Sequence, residues 1–273
     1  MNWTDELEQR SKHTVKSLKS LKEAFEIEAI YVIWLREIKR YLRAKERIVT
    51  SLMMPIFWFL VFGLGLGRAI QFTGLDVSYF SFVSPGIVVM SLLFTSIFSG
   101  VSVIWDREFG FLKEILVAPI SRLSIVVSRS LGGATTAFIQ GLMILAMSAI
   151  LGISITPQML LLILPLMILI SLGFVGLGLT IGSLMDTTEG FQLIMNFLVM
   201  PMFFLSGSLF PLNSLPVWIR WVSLVDPVTY GVETTRYIMT GISSFDPLIS
   251  LFIVIVFTVA MSIISAIAFG RRK

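Results

Sequence analysis

Six apolar stretches, each long enough to cross a lipid bilayer, constrain this chain more than any other feature of its sequence. They lie at residues 48–66, 79–104, 126–151, 159–184, 191–210 and 248–269. A membrane-spanning helix needs about 20 mostly apolar residues. Only 14% of the 273 residues are charged, whereas soluble proteins carry about a quarter. We therefore predict an all-α integral membrane protein with six transmembrane helices, which excludes a soluble enzyme, a secreted disulfide scaffold and a disordered chain.

Basic residues are distributed unevenly between the two sides that six spans create. Eleven of the 21 Lys and Arg residues precede the first stretch, four lie between the second and third or in the first turn of the third, and three end the chain. The opposite side has three, namely Arg68, Arg220 and Arg236. Because basic residues favour the cytoplasmic side, we expect residues 1–47 to form a cytoplasmic segment and both termini of the 48–273 transmembrane domain to be cytoplasmic. The net charge of +4 thus indicates topology rather than binding of nucleic acid.

Residues that carry catalysis or bind metals are scarce. The chain has no cysteine and one histidine, His13, which lies in a Lys-rich stretch, so we predict no metal site and no catalytic residues. Two glycine-rich runs, Gly63–Gly67 and Gly173–Gly178, lie in apolar stretches and lack the Gly-Lys-Ser/Thr of a phosphate loop. Small residues such as Gly178 and Gly182, four apart, are instead typical of close helix packing. Any ATP would therefore be hydrolysed by another subunit.

The N-terminal segment contains an amphipathic helix. Its apolar residues recur at helical spacing: Ile27, Ile30, Tyr31, Trp34, Leu35, Ile38, Tyr41 and Leu42. Charged residues, among them Arg36 and Arg40, fall on other faces. The pattern predicts a helix along the membrane surface, and an ordinary helix packed on a partner subunit is the alternative.

The loop between the second and third stretches mixes charged and apolar residues. Its apolar set, Phe109, Leu112, Ile115 and Leu116, has helical spacing and ends near Pro119, which predicts a short helix at about 106–119. One interpretation is a helix resting on lipid headgroups. The other is a lever that inserts into a cytoplasmic partner and transmits its motion to the second and third spans.

The segment at about 211–241, before the last span, is too apolar for a solvated loop and too broken to cross a membrane. Ser214-Leu-Pro216 and Asp226-Pro227 are each typical of a helix start, and Gly241 of a helix end. We predict a re-entrant helical hairpin on the outer side, since non-helical backbone at membrane depth requires protein or water partners. Glu233 and Arg236 are three residues apart and can pair, with Arg220 and Asp226 as other partners. A purely structural cap is the alternative.

These segments, in this order and over nearly the whole chain, resemble the permease subunit of type-2 ABC exporters. The likeness is to daunorubicin-resistance-like drug exporters and nodulation-factor exporters. It lies in the Arg-Glu-x-Gly-x-Leu-Lys-Glu-Ile-Leu-Val-Ala-Pro pattern of residues 107–119, in Phe204-Leu-Ser-Gly-Ser-Leu-Phe-Pro211, and in Asp226-Pro-Val-Thr-Tyr-Gly-Val-Glu-Thr-Thr-Arg236.

The resemblance implies a homodimer, or a close heterodimer, bound to two copies of a separate ATPase subunit that holds ATP and Mg. It implies that the N-terminal and loop helices contact the ATPase, with coupling residues Glu108, Phe109, Leu112, Lys113 and Glu114. It places the substrate path on the dimer axis, lined by the second and fifth spans, with candidates Phe94, Phe98, Phe197, Met200 and Phe204. The hairpin, with Arg220, Asp226, Tyr230, Glu233 and Arg236, is implied to close this path outside.

The function expected is therefore that of a permease subunit of an ATP-driven exporter of hydrophobic or amphipathic molecules, drug or lipid-like, in a prokaryotic cytoplasmic membrane. Export of a lipid-linked polysaccharide or glycolipid by the same architecture is an alternative. From other classes, an ATP-independent channel or secondary transporter and an integral membrane enzyme remain. The absence of an isolated acidic residue at mid-span counts against both of these.

Overall fold

The computed structural model describes residues 26–65, 78–108 and 121–271, and within these ranges the regular structure is entirely helical. The α-helices are α1 (Glu26–Arg43), α2 (Lys45–Trp58), α3 (Tyr79–Phe98), α4 (Val101–Glu108), α5 (Arg122–Ile150), α6 (Pro157–Leu184), α7 (Thr188–Ile194), α8 (Met200–Leu205), α9 (Val217–Val225), α10 (Pro227–Thr240) and α11 (Pro247–Arg271). A π-helical segment, Phe59–Gly65, continues α2, and another, Met195–Val199, joins α7 to α8.

Among the described residues, five helical stretches are long and apolar enough to cross a membrane. They are Tyr79–Glu108, Arg122–Ile150, Pro157–Leu184, Thr188–Leu205 and Pro247–Gly270. A sixth is reached when Glu26–Arg43 and Ile48–Gly63, which meet at 69°, count as one bent span. The all-α membrane fold is thus confirmed with five to six candidate spans, and the first predicted stretch qualifies only together with the N-terminal helix.

Helix α3 forms the centre of the bundle. It is buried along most of its length and contacts α5, α6 and α10. Helix α11 packs on α6 but exposes an apolar face that includes Phe252, Val256 and Ile263. A helix that is apolar all round and exposed on one side is stable only where lipid replaces water.

The join between α3 and α4 packs tightly against α6. A Cβ atom at Gly100, in the turn between these helices, would lie 2.0 Å from the Gly178 carbonyl oxygen. One at Gly182 would lie 2.2 Å from the Gly100 carbonyl oxygen. The predicted packing role of Gly178 and Gly182 is confirmed, because no other side chain leaves room for backbones this close.

Candidate transport cavity and its two ends

One end of the bundle holds the short helices α9 and α10, and we call it the hairpin end. The Asp226 carboxylate caps α10 by accepting a hydrogen bond from the Val228 amide at 2.9 Å, and Gly241, with φ +75°, ends that helix. Both boundaries match the sequence prediction. Helix α9 differs, because Pro216 occupies its N-cap position without a side-chain bond and Ser214 lies in a preceding 3₁₀ turn.

The hairpin end is held by a buried ion pair between Glu233 and Arg236 of α10. The Arg236 guanidinium also donates to the Phe82 carbonyl at 3.2 Å and to the Gly207 carbonyl at 2.7 Å, and lies 4.0 Å from the centre of the Phe82 ring. Glu233 accepts further bonds from the Ser243 hydroxyl and the backbone amide of the next residue. The predicted pair is therefore present, and it fastens α10 to the start of α3 and to the loop after α8.

The other two predicted charges at this end lie apart from that pair. Arg220 is exposed on α9. Asp226 is buried, and its Oδ2 atom has no hydrogen-bond partner among the described residues. Burial raises the pKa of this carboxyl to about 7. The hydroxyl of Tyr230 donates to the Leu224 carbonyl at 2.6 Å, which closes the turn between α9 and α10.

A cavity of about 690 Å³ lies between α1, α2, α3, α5 and the π-helical join of α7 and α8. Its lining includes an apolar set of Met54, Met90, Phe94, Phe98, Met195 and Met200, and a hydroxyl and amide set of Thr50, Ser51, Ser91, Thr95, Thr136 and Gln140. Glu37, Arg40 and Glu46 contribute charge at one edge. The volume is that of pockets for drug-sized ligands, and the mixed lining suits an amphipathic molecule.

An aromatic cluster connects this cavity to the hairpin end. Phe94 lines the cavity and its ring lies 6.4 Å from the ring of Phe203 on α8. Trp58 packs on Phe203 and Phe204 and stacks on Phe62 at 4.9 Å. The carbonyl of Leu205, the residue after Phe204 on α8, accepts a hydrogen bond from the Ser223 hydroxyl of α9. Aromatic side chains thus fill the space between the cavity and the hairpin.

The opposite end of the bundle, which we call the charged end, carries a chain of ion pairs. Arg129 of α5 pairs with Asp106 of α4 at 2.6 Å, and Arg36 of α1 approaches the same carboxylate oxygen at 3.3 Å. Arg36 also pairs with Glu37, and Glu37 in turn pairs with Arg40 at 2.6 Å. Sequence reasoning missed it, although opposite charges at the facing ends of two successive apolar stretches are a signal that favours pairing.

The predicted path and coupling residues are partly brought together. Phe94, Phe98 and Met200 line the cavity, whereas Phe197 is 80% exposed and Phe204 42% exposed, and neither is part of the lining. Of the coupling set, Glu108 is the exposed last residue of α4, and residues 106–108 of the predicted loop helix belong to that helix. The other four, Phe109, Leu112, Lys113 and Glu114, lie outside the described residues.

Comparison with known proteins identifies the family. The sequence matches the ABC-2 type transporter family over residues 28–240, which includes the cavity and both of its ends. The chain belongs to the ABC-2 type transporter family. ABC-2 chains of this kind are permease subunits that work with a separate ATPase subunit and are not themselves the ATPase, and the resemblance found in the sequence is confirmed.

Named relatives are also permeases. A putative transport permease, ycf38, of Cyanophora paradoxa is 29% identical over 80% of this ABC-2 chain and 77% of its own. The inner membrane transport permease YadH of Escherichia coli K12 is 27% identical over 89% of this chain and 96% of its own. The probable doxorubicin resistance ABC transporter permease protein DrrC of Mycobacterium tuberculosis is 26% identical over 87% of this chain and 86% of its own.

Proposed function

We propose that this chain is the membrane-spanning subunit of an ATP-driven exporter that moves hydrophobic or amphipathic, drug-like or lipid-like molecules out across a prokaryotic cytoplasmic membrane. The cavity carries this proposal, because it combines a drug-sized volume with a lining of both apolar and hydroxyl-bearing side chains. Its size favours a compact amphipathic molecule over a polysaccharide chain. The name of the doxorubicin resistance relative agrees with a drug-like cargo.

The mechanism is alternating access at the interface of a homodimer, driven by two ATPase subunits that bind ATP and Mg. Apolar side chains beside the cavity support the dimer, since Met53 and Phe57 of α2, Leu193 of α7, and Leu60 and Phe197 of the two π-helical segments are exposed. A second copy covering these faces would enclose the cavity on the dimer axis. Phe197 would then lie in the interface rather than in the cavity wall.

The charged end is the cytoplasmic end in this proposal. The first part of α1 and both flanks of the 109–120 loop lie there, which suits an ATPase that contacts the N-terminal helix and the loop helix at once. Exposed Ile27, Tyr31 and Leu42 provide α1 with an apolar surface for the lipid interface. At the other end, exposed Trp218 and Trp221 suit the outer interface of a re-entrant hairpin.

The test is reconstitution. The chain is purified with the ABC ATPase subunit that copurifies with it, placed in proteoliposomes, and assayed with doxorubicin and with a fluorescent phosphatidylethanolamine as probes. We expect movement of a probe that requires ATP and stops when the ATPase Walker lysine is replaced. Movement without ATP, or purification without any ATPase partner, would contradict an ATP-driven exporter and favour a channel or secondary transporter.

A further inference from the structure

We propose that Asp106 is a positioning residue that makes α1, α4 and α5 move as one unit, so that a force applied to α1 or to the end of α4 reaches the wall of the cavity. This inference rests on the proposed ATP-driven function. It assigns a coupling role to a buried carboxylate and to its two arginine partners, Arg36 and Arg129.

The first observation is the geometry of the carboxylate. One oxygen of Asp106 accepts from Arg129 of α5 at 2.6 Å and from Arg36 of α1 at 3.3 Å. The Arg129 side chain is 1% exposed and that of Asp106 is 10% exposed. A buried carboxylate that bridges cations from two helices resists separation of either helix, because separation leaves an unpaired charge away from water.

The second observation is the register of α1 on α5, which run parallel. Glu26 accepts from the Ser124 hydroxyl at 3.2 Å near the start of both helices. Farther along, the Trp34 indole donates to Thr135 at 3.1 Å. The Tyr41 hydroxyl then donates to Gln140 at 3.4 Å. Three bonds along the helix, with the ion pairs between them, fix α1 against both rotation and sliding on α5.

The third observation is that this unit forms part of the cavity. All three helices contribute lining residues, namely Glu37, Arg40 and Tyr41 of α1, Trp105 of α4, and Gly132, Gly133, Thr136 and Gln140 of α5. The turn at Ser99 and Gly100 separates α4 from α3, so the unit and α3 are distinct helical elements around the cavity. Motion of the unit therefore changes one wall of the cavity relative to the other, which α3 supplies through Met90 and Phe94.

Helix α4 also offers a matched control. Its next residue, Arg107, pairs with Asp186 at 3.1 Å, and the Asp186 side chain is 79% exposed. Exposed pairs contribute little to stability or to transmission because water and salt screen them. A role for Asp106 as one more surface charge would make the two pairs behave alike.

The experiment uses the full complex with its ATPase in proteoliposomes and a reporter cysteine in the cavity, Thr95→Cys. The native chain has no cysteine, so modification of the permease by an impermeant maleimide reports on this position alone. The rate is measured without nucleotide and with ATP plus vanadate, and the ratio of the two rates is the readout. The backgrounds compared are wild type, Arg36→Gln, Asp106→Asn, Asp106→Glu and Asp186→Asn.

We expect a ratio clearly different from one in wild type and Asp186→Asn. In Arg36→Gln and Asp106→Asn the nucleotide-dependent change in labelling rate should be about tenfold smaller, so that the ratio approaches one, and Asp106→Glu should restore part of the change. A tenfold effect is within the range seen for single residues of coupling networks. Arg36→Gln leaves the buried Asp106–Arg129 pair intact, so it decides the matter if Asp106→Asn fails to assemble.

Two results separate the possible failures. A wild-type ratio clearly different from one, together with the same ratio in Arg36→Gln and Asp106→Asn, would overturn the role of Asp106 while leaving the transporter proposal intact. Loss of assembled complex with a normal ratio in what remains would show a purely structural role and would also overturn it. A wild-type ratio of one, with the ATPase active, would contradict alternating access itself.

Discussion

At the scale of single residues, buried charges decide how each end of the bundle is held. Arg236 is among the largest fully buried side chains of the described residues, and its guanidinium is satisfied by Glu233, two carbonyl oxygens and the face of the Phe82 ring. Removing a charge from water costs several kcal/mol, which such partners offset. Loss of one member therefore leaves a buried charge that the remaining structure cannot solvate.

Removing one member of the Glu233–Arg236 pair should reduce stability more than removing both members. We expect Arg236→Ala to destabilise the detergent-solubilised permease by about 3–5 kcal/mol, since Glu233 is left charged and buried. The double variant Glu233→Ala, Arg236→Ala should melt at a higher temperature than Arg236→Ala alone. Arg220→Ala, on the exposed face of α9, is the control and should change little. Strictly additive effects in this cycle would mean that the two side chains do not interact.

Asp226 makes the stability of the hairpin end depend on pH. Because burial raises its pKa from 3.8 to about 7, the folded protein binds this proton more tightly than the unfolded chain does. The stabilisation from proton binding is therefore greatest below about pH 4 and is lost as the pH rises through about 7. Asp226→Asn keeps a helix cap without a charge, so it should raise the melting temperature by several degrees at pH 8 and by less at pH 5. Equal shifts at both pH values would show that Asp226 is already ionised throughout.

Sequence reasoning succeeded for residues whose spacing determines their contact and failed where tertiary packing does. Glu233 and Arg236 lie three apart on one helix, so their pairing could be predicted from spacing. Phe94 and Phe197 are equally apolar, yet the first lines the cavity and the second is exposed. In a membrane protein an apolar side chain is stable against lipid, a partner or a cavity, and hydropathy does not distinguish these environments.

At the scale of secondary-structure elements, the breaks within spans matter most. The fifth predicted stretch contains the π-helical segment Met195–Val199. Pro201 lies two residues after this segment, and its ring lacks an amide hydrogen and crowds the carbonyl four residues earlier. The first stretch likewise becomes π-helical after Pro55. Hydropathy predicted the positions of these spans because length and apolarity determine them, but it carries no information on bends. Such π segments are frequent at functional sites, and both flank the cavity or its aromatic cluster.

The break between α3 and α4 yields a prediction at this scale. Gly100→Ala would place a methyl group 2.0 Å from the Gly178 carbonyl oxygen, which forces the α4 join away from α6. We expect destabilisation by about 1–3 kcal/mol and a lower yield of folded permease by size-exclusion chromatography. Gly270→Ala, where the added carbon meets nothing within 4 Å, is the matched control. A Gly100→Ala protein as stable as that control would contradict the close approach of these backbones.

At the scale of the whole molecule, charge asymmetry predicts orientation. Basic residues concentrate in the segments assigned to the charged end, so that end should face the cytoplasm. In intact cells an impermeant maleimide should label a cysteine at Asn213 or Ser244, both exposed at the hairpin end, and should not label one at Glu189, exposed at the other. The cysteine-free native chain is the background control. The reverse labelling pattern would invert the topology and the direction of export.

The overall architecture was the easiest feature to predict and the assembly of the cavity the hardest. Five predicted apolar stretches correspond to qualifying helical stretches because a bilayer fixes their length and polarity. The packing of α1 on α5 was not foreseen, since an amphipathic helix pattern favours a membrane surface and a protein surface alike. Without that packing, Tyr41 and Gln140 could not be assigned to one cavity.

The central claim is that molecules leave the cell through the cavity between α1, α2, α3 and α5, and filling that cavity tests it most directly. Thr95 lines the cavity on the middle span of the bundle, so Thr95→Trp should obstruct it, with Thr95→Ser as the control. The measurement is ATP-dependent movement of doxorubicin in proteoliposomes that contain the complex with its ATPase. The account predicts that Thr95→Trp assembles with the ATPase and retains basal ATP hydrolysis but loses most transport, while Thr95→Ser transports normally. Normal transport by an assembled Thr95→Trp complex would contradict it.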